Sequence, residues 1–269
     1  DRWIYSRFNE TLSELNKAMD KFEINNASKL IYSFVWNDFC DWYIELAKHR
    51  LYSDDNEVKS AVLTRALKIF ENLLKIVHPF MPFITEELRQ LIETRKEGDS
   101  ISTSEYPLLD KSRINPEAEQ EMEFVQAVIT AIRNIRGEMN ISPSKFIKIF
   151  IKSSHIKVYL IDYIKKLTRA EDIIIDEKLE KPKASASSVV KGCEIYIPLS
   201  GLIDMELERN RLQKEINRIE NSLKGIEKKL TNEKFINNAS PSIVERERTK
   251  QKDWSIKLKK LINISNDLN

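Results

Sequence analysis

The stretch LQKEINRIENSLKGIEKKL, residues 212–230, places leucine or isoleucine at alternating steps of four and three. This spacing is typical of a helix that packs lengthwise against another helix. A second seam follows in the same register, with Val244, Trp254, Leu258, Leu261 and Leu268 as its apolar members. The segment between them, Thr231–Ser240, carries Asn237 and Asn238 and leads into Pro241. We predict an antiparallel coiled-coil hairpin with arms of roughly 40 Å, and a coiled coil that dimerises with a second chain remains the alternative.

The N-terminal part, residues 1–95, is predicted to form three or four helices with short connections, which pack as an antiparallel bundle. Asn25 and Asn26 are predicted to cap the second helix. Pro79 and Pro82 are predicted to break the chain before a fourth helix over Ile84–Arg95. The apolar positions at steps of three and four are Ile4, Phe8, Leu12, Leu15, Met19 and Phe22, then Leu30, Ile31, Phe34, Val35, Trp42, Leu46 and Ala47, then Val62, Ala66, Phe70, Leu73 and Val77.

Between these parts the apolar pattern changes from helical to alternating. Asn115 and Pro116 form a good helix start, and a long amphipathic helix follows. Strands are predicted at Phe146–Lys152, Ile173–Ile175, Ser188–Val190 and Glu194–Ile197, with a short helix from Val158 to Leu167 and a loop over Lys181–Ser187. The fold class is therefore mainly α, with a bundle (1–110), a linking helix and small α+β module (111–200), and a hairpin arm (201–269).

Composition excludes several classes of protein. The 269 residues include only 5 glycines, so a phosphate-binding glycine loop is disfavoured. Cys40 and Cys193 lie far apart, which argues against a zinc site or disulfide framework and fits a reducing cytoplasm. No apolar run is long enough for a bilayer, and Asp1-Arg2-Trp3 does not resemble a signal peptide. The net charge of +2 is uneven, because residues 202–269 contain 15 Lys and Arg and 11 Asp and Glu.

No catalytic constellation is visible in the sequence, since His49, His78 and His155 are dispersed and no nucleophile pattern accompanies them. Two clusters remain. One is the aromatic stretch Trp36–Tyr43, which is most simply interpreted as a helix buried on several sides. The other is a set of cations on the predicted hairpin, a moderate signal for RNA binding.

Three segments carry a resemblance to a known family. DRWIYSR (1–7), WNDFCDWYIELAK (36–48) and HPFMPFITEEL (78–88) resemble the anticodon-binding bundle of the class I tRNA synthetases for valine, leucine and isoleucine. AIRNIRGEMNI (131–141), IPLSGLID (197–204) and the hairpin itself are similar to the valine enzymes in particular. The resemblance covers essentially the whole chain in order.

This resemblance implies a tRNA-binding role. The bundle would recognise the anticodon stem-loop of tRNA-Val, and the arm the outer corner of the tRNA. In the bundle, the candidate residues for contact with the anticodon are Arg2, Arg7, Trp36, Asn37 and Trp42. The candidates on the arm are its cations Arg211, Lys214, Arg218, Lys228, Lys229, Lys234, Arg246 and Arg248. No metal or cofactor is implied in this chain.

The H-I-G-H and K-M-S-K-S motifs of the family do not occur in these residues. We therefore expect ATP use, valine activation and editing to belong to catalytic and editing domains upstream in the same polypeptide, together with one further bundle helix. The isolated chain is expected to be inactive, monomeric and cytoplasmic. Two alternatives stay open: a non-catalytic protein-interaction module with a dimerising coiled coil, and an independent enzyme.

Overall fold

The computed structural model describes residues 1–96, 98–153, 156–232, 235 and 239–267. They form two compact units, Asp1–Phe124 and Val125–Asn269. The mainly α fold class with a small mixed sheet is confirmed. The three-part domain division remains a prediction. Within the described ranges, no helix is long and apolar enough to cross a membrane.

The first unit is a helical bundle whose core is formed by one apolar face of each helix. Ile4, Leu12 and Leu15 of the first helix are fully or almost fully buried, as are Ile69 and Ile76 of the fourth. The helices are α1 (Arg2–Asp20), α2 (Ile24–Ser33), a π-helical segment (Phe34–Ile44), α3 (Glu45–Leu51), α4 (Asn56–Val77), α5 (Pro82–Ile92) and the beginning of α6 (Pro116–Glu138).

Side chains cap the first turn of some of these helices. The carboxylate of Asp55 accepts hydrogen bonds from the backbone N–H of Glu57 (2.8 Å) and Val58 (3.2 Å) at the start of α4. The predicted start at Asn115 is confirmed, because its Oδ1 accepts from the N–H of Ala118 at 3.0 Å. The predicted cap at Asn25 and Asn26 is wrong, since α2 already begins at Ile24.

Two backbone features explain the shifted helix boundaries. Phe22 adopts a left-handed φ of 57° and its N–H donates to the carbonyl of Met19. The chain therefore turns immediately after α1 and leaves no room for a cap at Asn25. Helix α5 covers Pro82–Ile92 instead of the predicted Ile84–Arg95, because proline is accepted in the first helical turn. Arg95 lies beyond the helix and donates to Glu71 at 3.1 Å.

The aromatic stretch forms π-helical turns, which use i to i+5 hydrogen bonds. Phe34, Phe39 and Tyr43 are spaced five and four residues apart and are all buried. Trp36 is 54% exposed, and Trp42 is half-buried against the core. The interpretation of a helix buried on several sides is therefore wrong. A wider turn gathers three aromatic rings on one face and leaves Trp36 on another.

The second unit contains a four-stranded sheet of order β2-β1-β4-β3. The strands are β1 (Ile147–Lys152), β2 (Ala170–Ile175), β3 (Ser185–Val190) and β4 (Cys193–Pro198), and helix α7 (Val158–Thr168) connects β1 to β2. β1 and β2 are parallel, whereas β4 is antiparallel to both β1 and β3. The predicted loop over Lys181–Ser187 is wrong at its end, because Ser185, Ala186 and Ser187 already pair with β4.

The turn between β3 and β4 consists of Lys191 and Gly192, both with positive φ (49° and 80°). Two such residues form the tight turn whose twist matches that of an antiparallel hairpin. The strand hairpin therefore depends on Gly192, where the left-handed conformation carries no steric cost.

The arm consists of α8 (Met205–Leu230) and α9 (Pro241–Asp267). Lys229 pairs with Glu247 (3.5 Å), and Glu215, further from the connection, pairs with Lys257 (2.7 Å). These two pairs show that the helices run antiparallel, as predicted. The seam residues buried from solvent are Leu212, Ile216, Ile219, Leu223, Ile226, Val244 and Leu261. The predicted seam residue Leu268 and the connecting residues Asn237 and Asn238 lie outside the described residues.

The π-helical segment places Phe39 on its buried face and Trp36 on an exposed face, and this difference can be tested by mutation. We expect Phe39→Ala to lower the free energy of unfolding by about 3–5 kcal/mol, the range for an aromatic side chain removed from a core. Phe39 stacks on Phe70 (6.0 Å between ring centroids) and on Tyr43 (5.7 Å). The control is Trp36→Ala, which should change stability by no more than about 0.5 kcal/mol, as exposed sites do. Urea unfolding measures both, and equal losses of stability would contradict the assigned faces.

Candidate nucleic-acid interfaces

Exposed cations lie on the arm on the side away from the seam. Lys214 and Lys228 project from the face of α8 opposite its buried leucines, and Arg218 lies beside them. Arg246 and Arg248 are exposed near the start of α9. Among the described residues these five side chains make no ion pair within 4.0 Å. They therefore keep their charge available to a ligand.

The cations near the connection come from both helices. The contact between Lys229 and Glu247 places the last turn of α8 beside the second turn of α9. Lys228 precedes Lys229, and Arg246 and Arg248 flank Glu247. The antiparallel packing thus brings three exposed cations to the end of the arm. We call Lys228, Arg246 and Arg248 the tip cations.

Lys229 and Lys234 differ from these three. Lys229 shares Glu247 with Lys250, at 3.5 and 3.9 Å, and the Glu247 side chain is only 13% exposed. Part of the charge of Lys229 therefore serves to hold the two helices together. Lys234 lies outside the described residues.

Among the described candidates on the arm, Arg211 has the most contacts within the protein. Its Nε donates to Glu208 at 2.9 Å, and its Nη2 donates to the carbonyl of Glu138 at 3.3 Å. Glu208 is only 5% exposed, so its carboxylate depends on this cation. The hydrogen bond to Glu208 is the main cause that raises the pKa of Arg211. Arg211 therefore anchors the base of the arm.

In the first unit, Arg7 is held in a network of carboxylates. It pairs with Glu10 (2.7 Å), Asp38 (3.3 Å) and Glu119 (3.4 Å). Burial acts to lower the pKa of Arg7, but Asp38 and the two glutamates outweigh it and raise the pKa. Burial also raises the pKa of the Asp38 carboxyl, which Arg7 only partly offsets. These contacts give Arg7 a structural role in the bundle.

Trp36 forms an exposed aromatic surface with Tyr32, one turn earlier. The two rings are almost parallel, with 6.3 Å between centroids and 5° between planes, and Tyr32 is 65% exposed. Asn37 is exposed and its Nδ2 donates to the hydroxyl of Ser33 at 3.2 Å. Tyr32 was not among the residues predicted from the sequence, although its position four residues before Trp36 places the two side chains next to each other on a helix.

Arg2 lines a small cavity of about 280 Å³ with Tyr5, Ser112, Arg113 and Asn115. The guanidinium of Arg113 lies over the ring of Tyr5, 4.8 Å from its centroid. The cavity combines a cationic group with an aromatic ring, the chemistry that contacts nucleotides. Tyr5 and Arg113 were missed because more than 100 residues separate them in the sequence.

His78 has a structural role in the bundle. Its Nδ1 lies 2.7 Å from the hydroxyl of Thr85, and its Nε2 lies 3.1 Å from that of Ser102. The ring therefore joins the start of α5 to a neighbouring turn. In the part of the chain that the structure describes, no group of three or more His, Cys, Asp or Glu could hold a metal ion.

The helical bundle and the two-helix arm each match a known family. Residues 1–151 match the anticodon-binding domain of tRNA ligase, and residues 204–268 match the valyl tRNA synthetase tRNA binding arm. The first match covers more than half of the chain and defines its class as the anticodon-binding region of a tRNA ligase.

Curated relatives narrow the class. The chain is 41% identical to a valine--tRNA ligase of Streptococcus thermophilus over 96% of its length. It is 38% identical to that of Fusobacterium nucleatum over 97%, and 37% identical to that of Enterococcus faecalis over 94%. It spans 29–30% of the length of these relatives. The chain therefore belongs to the family of tRNA-ligase anticodon-binding domains, and its arm and its curated relatives make it similar to valine--tRNA ligases in particular.

The base of the arm yields a stability prediction. Arg211→Ala should lower the free energy of unfolding by about 1–3 kcal/mol, because it leaves the buried Glu208 carboxylate without its cation. Lys214→Ala, three residues away and exposed, is the matched control and should change stability by about 0.5 kcal/mol or less. Thermal unfolding followed by circular dichroism compares the two. A Lys214 variant as unstable as the Arg211 variant would refute the anchoring role.

Proposed function

We propose that the chain is the tRNA-binding C-terminal region of a valine--tRNA ligase and that its ligand is tRNA-Val. The observation that carries the proposal is the set of tip cations, exposed on an arm that matches the tRNA binding arm of this family. The arm contacts the outer corner of the tRNA, and the bundle contacts the anticodon stem-loop. The two surfaces use different chemistry.

The arm supplies charge. Its seam residues face each other and are closed to a ligand, whereas the tip cations, Lys214 and Arg218 project into solvent. Duplex RNA presents phosphates and 2′-hydroxyls, because side chains cannot read its deep major groove. The arm therefore recognises the shape and charge of the tRNA, with little dependence on its sequence.

The bundle supplies aromatic rings. Anticodon bases are unstacked and can lie against an aromatic side chain. Tyr32 and Trp36 present such rings at the surface, and the cavity beside Arg2 adds cationic groups. Arg7 and Trp42 act differently: Arg7 orders the carboxylates of the bundle, and Trp42 packs against its core.

The complete ligase attaches valine to tRNA-Val with ATP. In this proposal the catalytic and editing domains of the same polypeptide carry out that chemistry, and the present chain positions the tRNA for them. The protein acts as a monomer in the cytoplasm.

The main alternative is a protein-interaction module with a dimerising coiled coil. The packing of α9 along α8 argues against it, because the apolar seam of α8 is already covered within one chain. Light scattering distinguishes the two: a mass of 31.6 kDa supports the hairpin, and twice that mass supports the alternative.

The tip cations provide the central test. Changing Lys228, Arg246 and Arg248 together to alanine should weaken binding of tRNA-Val and of a non-cognate tRNA alike. For every phosphate that the variant fails to neutralise, the slope of log K against log salt should also become shallower by about 0.9. Fluorescence anisotropy over a salt series measures both quantities.

The control for this variant removes three cations elsewhere. Lys148, Lys178 and Lys183 are exposed on the sheet module, and their replacement by alanine makes the same change in net charge. This control should keep the affinity and the salt slope of the wild-type chain. If both triple variants bound tRNA equally weakly, the loss of affinity would reflect net charge alone, and the assignment of the arm as a tRNA contact would be wrong.

The aromatic surface provides an independent test. Trp36→Ala and Tyr32→Ala should each weaken binding of the isolated anticodon stem-loop of tRNA-Val by about 1–3 kcal/mol, the usual effect of removing the ring on which a base stacks. The salt slope should stay unchanged, since no charge is removed. Tyr52→Ala is the control, because Tyr52 is similarly exposed and lies outside the surface. Unchanged binding by the Trp36 and Tyr32 variants would exclude base stacking at this surface.

A further inference from the structure

The second unit contains a cationic cavity to which neither family match assigns a role. It has a volume of about 600 Å³ and lies where the end of α6 meets the end of α7. Three arginines line it: Arg133 and Arg136 from α6, and Arg169, which directly follows α7. A space of this size accommodates a sugar-phosphate unit. Residues 152–203, which supply Arg169, lie outside both family matches.

Arg136 forms the buried part of this cavity and is itself only 9% exposed. Its Nη1 donates to the carbonyl of Thr168 at 2.9 Å, and its Nη2 donates to those of Ser142 (2.8 Å) and Lys145 (2.6 Å). All three partners are neutral. Among the described residues no carboxylate forms an ion pair within 4.0 Å of Arg136 or of Arg169.

The electrostatics of the cavity indicate an excess of positive charge. Burial first, and then the nearby charge of Arg169, lower the pKa of Arg136. Two helix C-termini meet here and contribute about half a negative charge each. Arg136 and Arg169 together outweigh them by about one positive charge.

Hydrogen bonds to the carbonyls at the end of α6 offset part of the negative potential there. At the end of α6 the N–H of Ile141 donates to the carbonyl of Arg136 (2.9 Å), and that of Asn140 donates to Gly137 (3.3 Å), the usual closure of a helix C-terminus. Glu138, the acidic residue at this helix end, accepts from Lys260 of the arm. Its carboxylate is therefore directed to the arm, and Arg133 and Arg169 stand exposed at the mouth of the cavity.

We propose that this cavity, lined by Arg133, Arg136 and Arg169, binds a backbone phosphate of the tRNA. The proposal rests on the proposed function and gives the sheet module a direct contact with the ligand. Guanidinium groups suit a phosphodiester because their donors form a planar fork that matches two phosphate oxygens. Arg136 forms the buried end of the site, and Arg133 and Arg169 contact the phosphate at its mouth.

The test removes the two exposed arginines and keeps Arg136. Arg169 has a left-handed φ of 51°, which asparagine tolerates well, so Arg169→Asn combined with Arg133→Gln removes charge without adding backbone strain. The matched control is Lys148→Gln with Lys178→Asn, two exposed cations of the same module. The full chain of 269 residues is used, with tRNA-Val as the probe over a salt series.

We expect the arginine variant to bind tRNA-Val about tenfold more weakly, with a salt slope shallower by about 0.9 for the one phosphate that is no longer bound. The control should match the wild-type chain. A second arm of the experiment adds inorganic phosphate and follows the Nε–H resonance of Arg169 by NMR, to distinguish a site for free phosphate from one for RNA.

Three results overturn the proposal. If the arginine variant binds tRNA-Val like the wild type while the tip-cation variant does not, the proposed function is supported and the proposed phosphate site is refuted. If inorganic phosphate shifts Arg169 but the variant keeps its tRNA affinity, the cavity is a site for free phosphate only. If the wild-type chain binds no tRNA, this inference and the proposed function fall together.

Discussion

The apolar seam between α8 and α9 determines where every charge of the arm lies. Each leucine or isoleucine taken out of water contributes about 1.5–3 kcal/mol, whereas an exposed ion pair contributes about 0–1 kcal/mol. Seam burial therefore holds the helices together. The pairs Lys229–Glu247 and Glu215–Lys257 add direction and register. Because the seam uses one face of each helix, Lys214 and Lys228 are left on the opposite face, where a polyanion can reach them.

The same distinction between anchored and available charge runs through the bundle and the sheet module. Arg7 and Arg211 belong to networks of carboxylates, and changing them affects folding as much as binding. Arg136 is anchored too, but on carbonyls, so its positive charge is not cancelled. The type of partner decides whether an arginine stabilises the fold or attracts an anion, and charge counts alone do not reveal that partner.

The periodicity of the sequence was sufficient to predict the helices, the arm and the approximate positions of the strands, because buried residues follow a regular repeat in each of these elements. It failed where the backbone departs from that repeat. The π-helical turns place Phe34, Phe39 and Tyr43 together at steps of five and four, which a step of three and four cannot anticipate. Ser185–Ser187 look like loop residues, yet they pair with β4. The cavity lined by Arg136 and Arg169 joins residues 33 positions apart, and no local pattern links them.

The proposed function separates two kinds of contact with RNA in this chain, and each suits the element that carries it. A long two-helix arm extends charge over roughly 40 Å but has few exposed rings, so it favours contacts that any tRNA offers. The bundle carries the stacked pair Tyr32 and Trp36 on a rigid helix, and rigid rings bind unstacked bases at a low cost in conformational entropy. The proposed function therefore assigns contacts that depend on the identity of the tRNA to the bundle, because the arm would encounter phosphates that all tRNAs share.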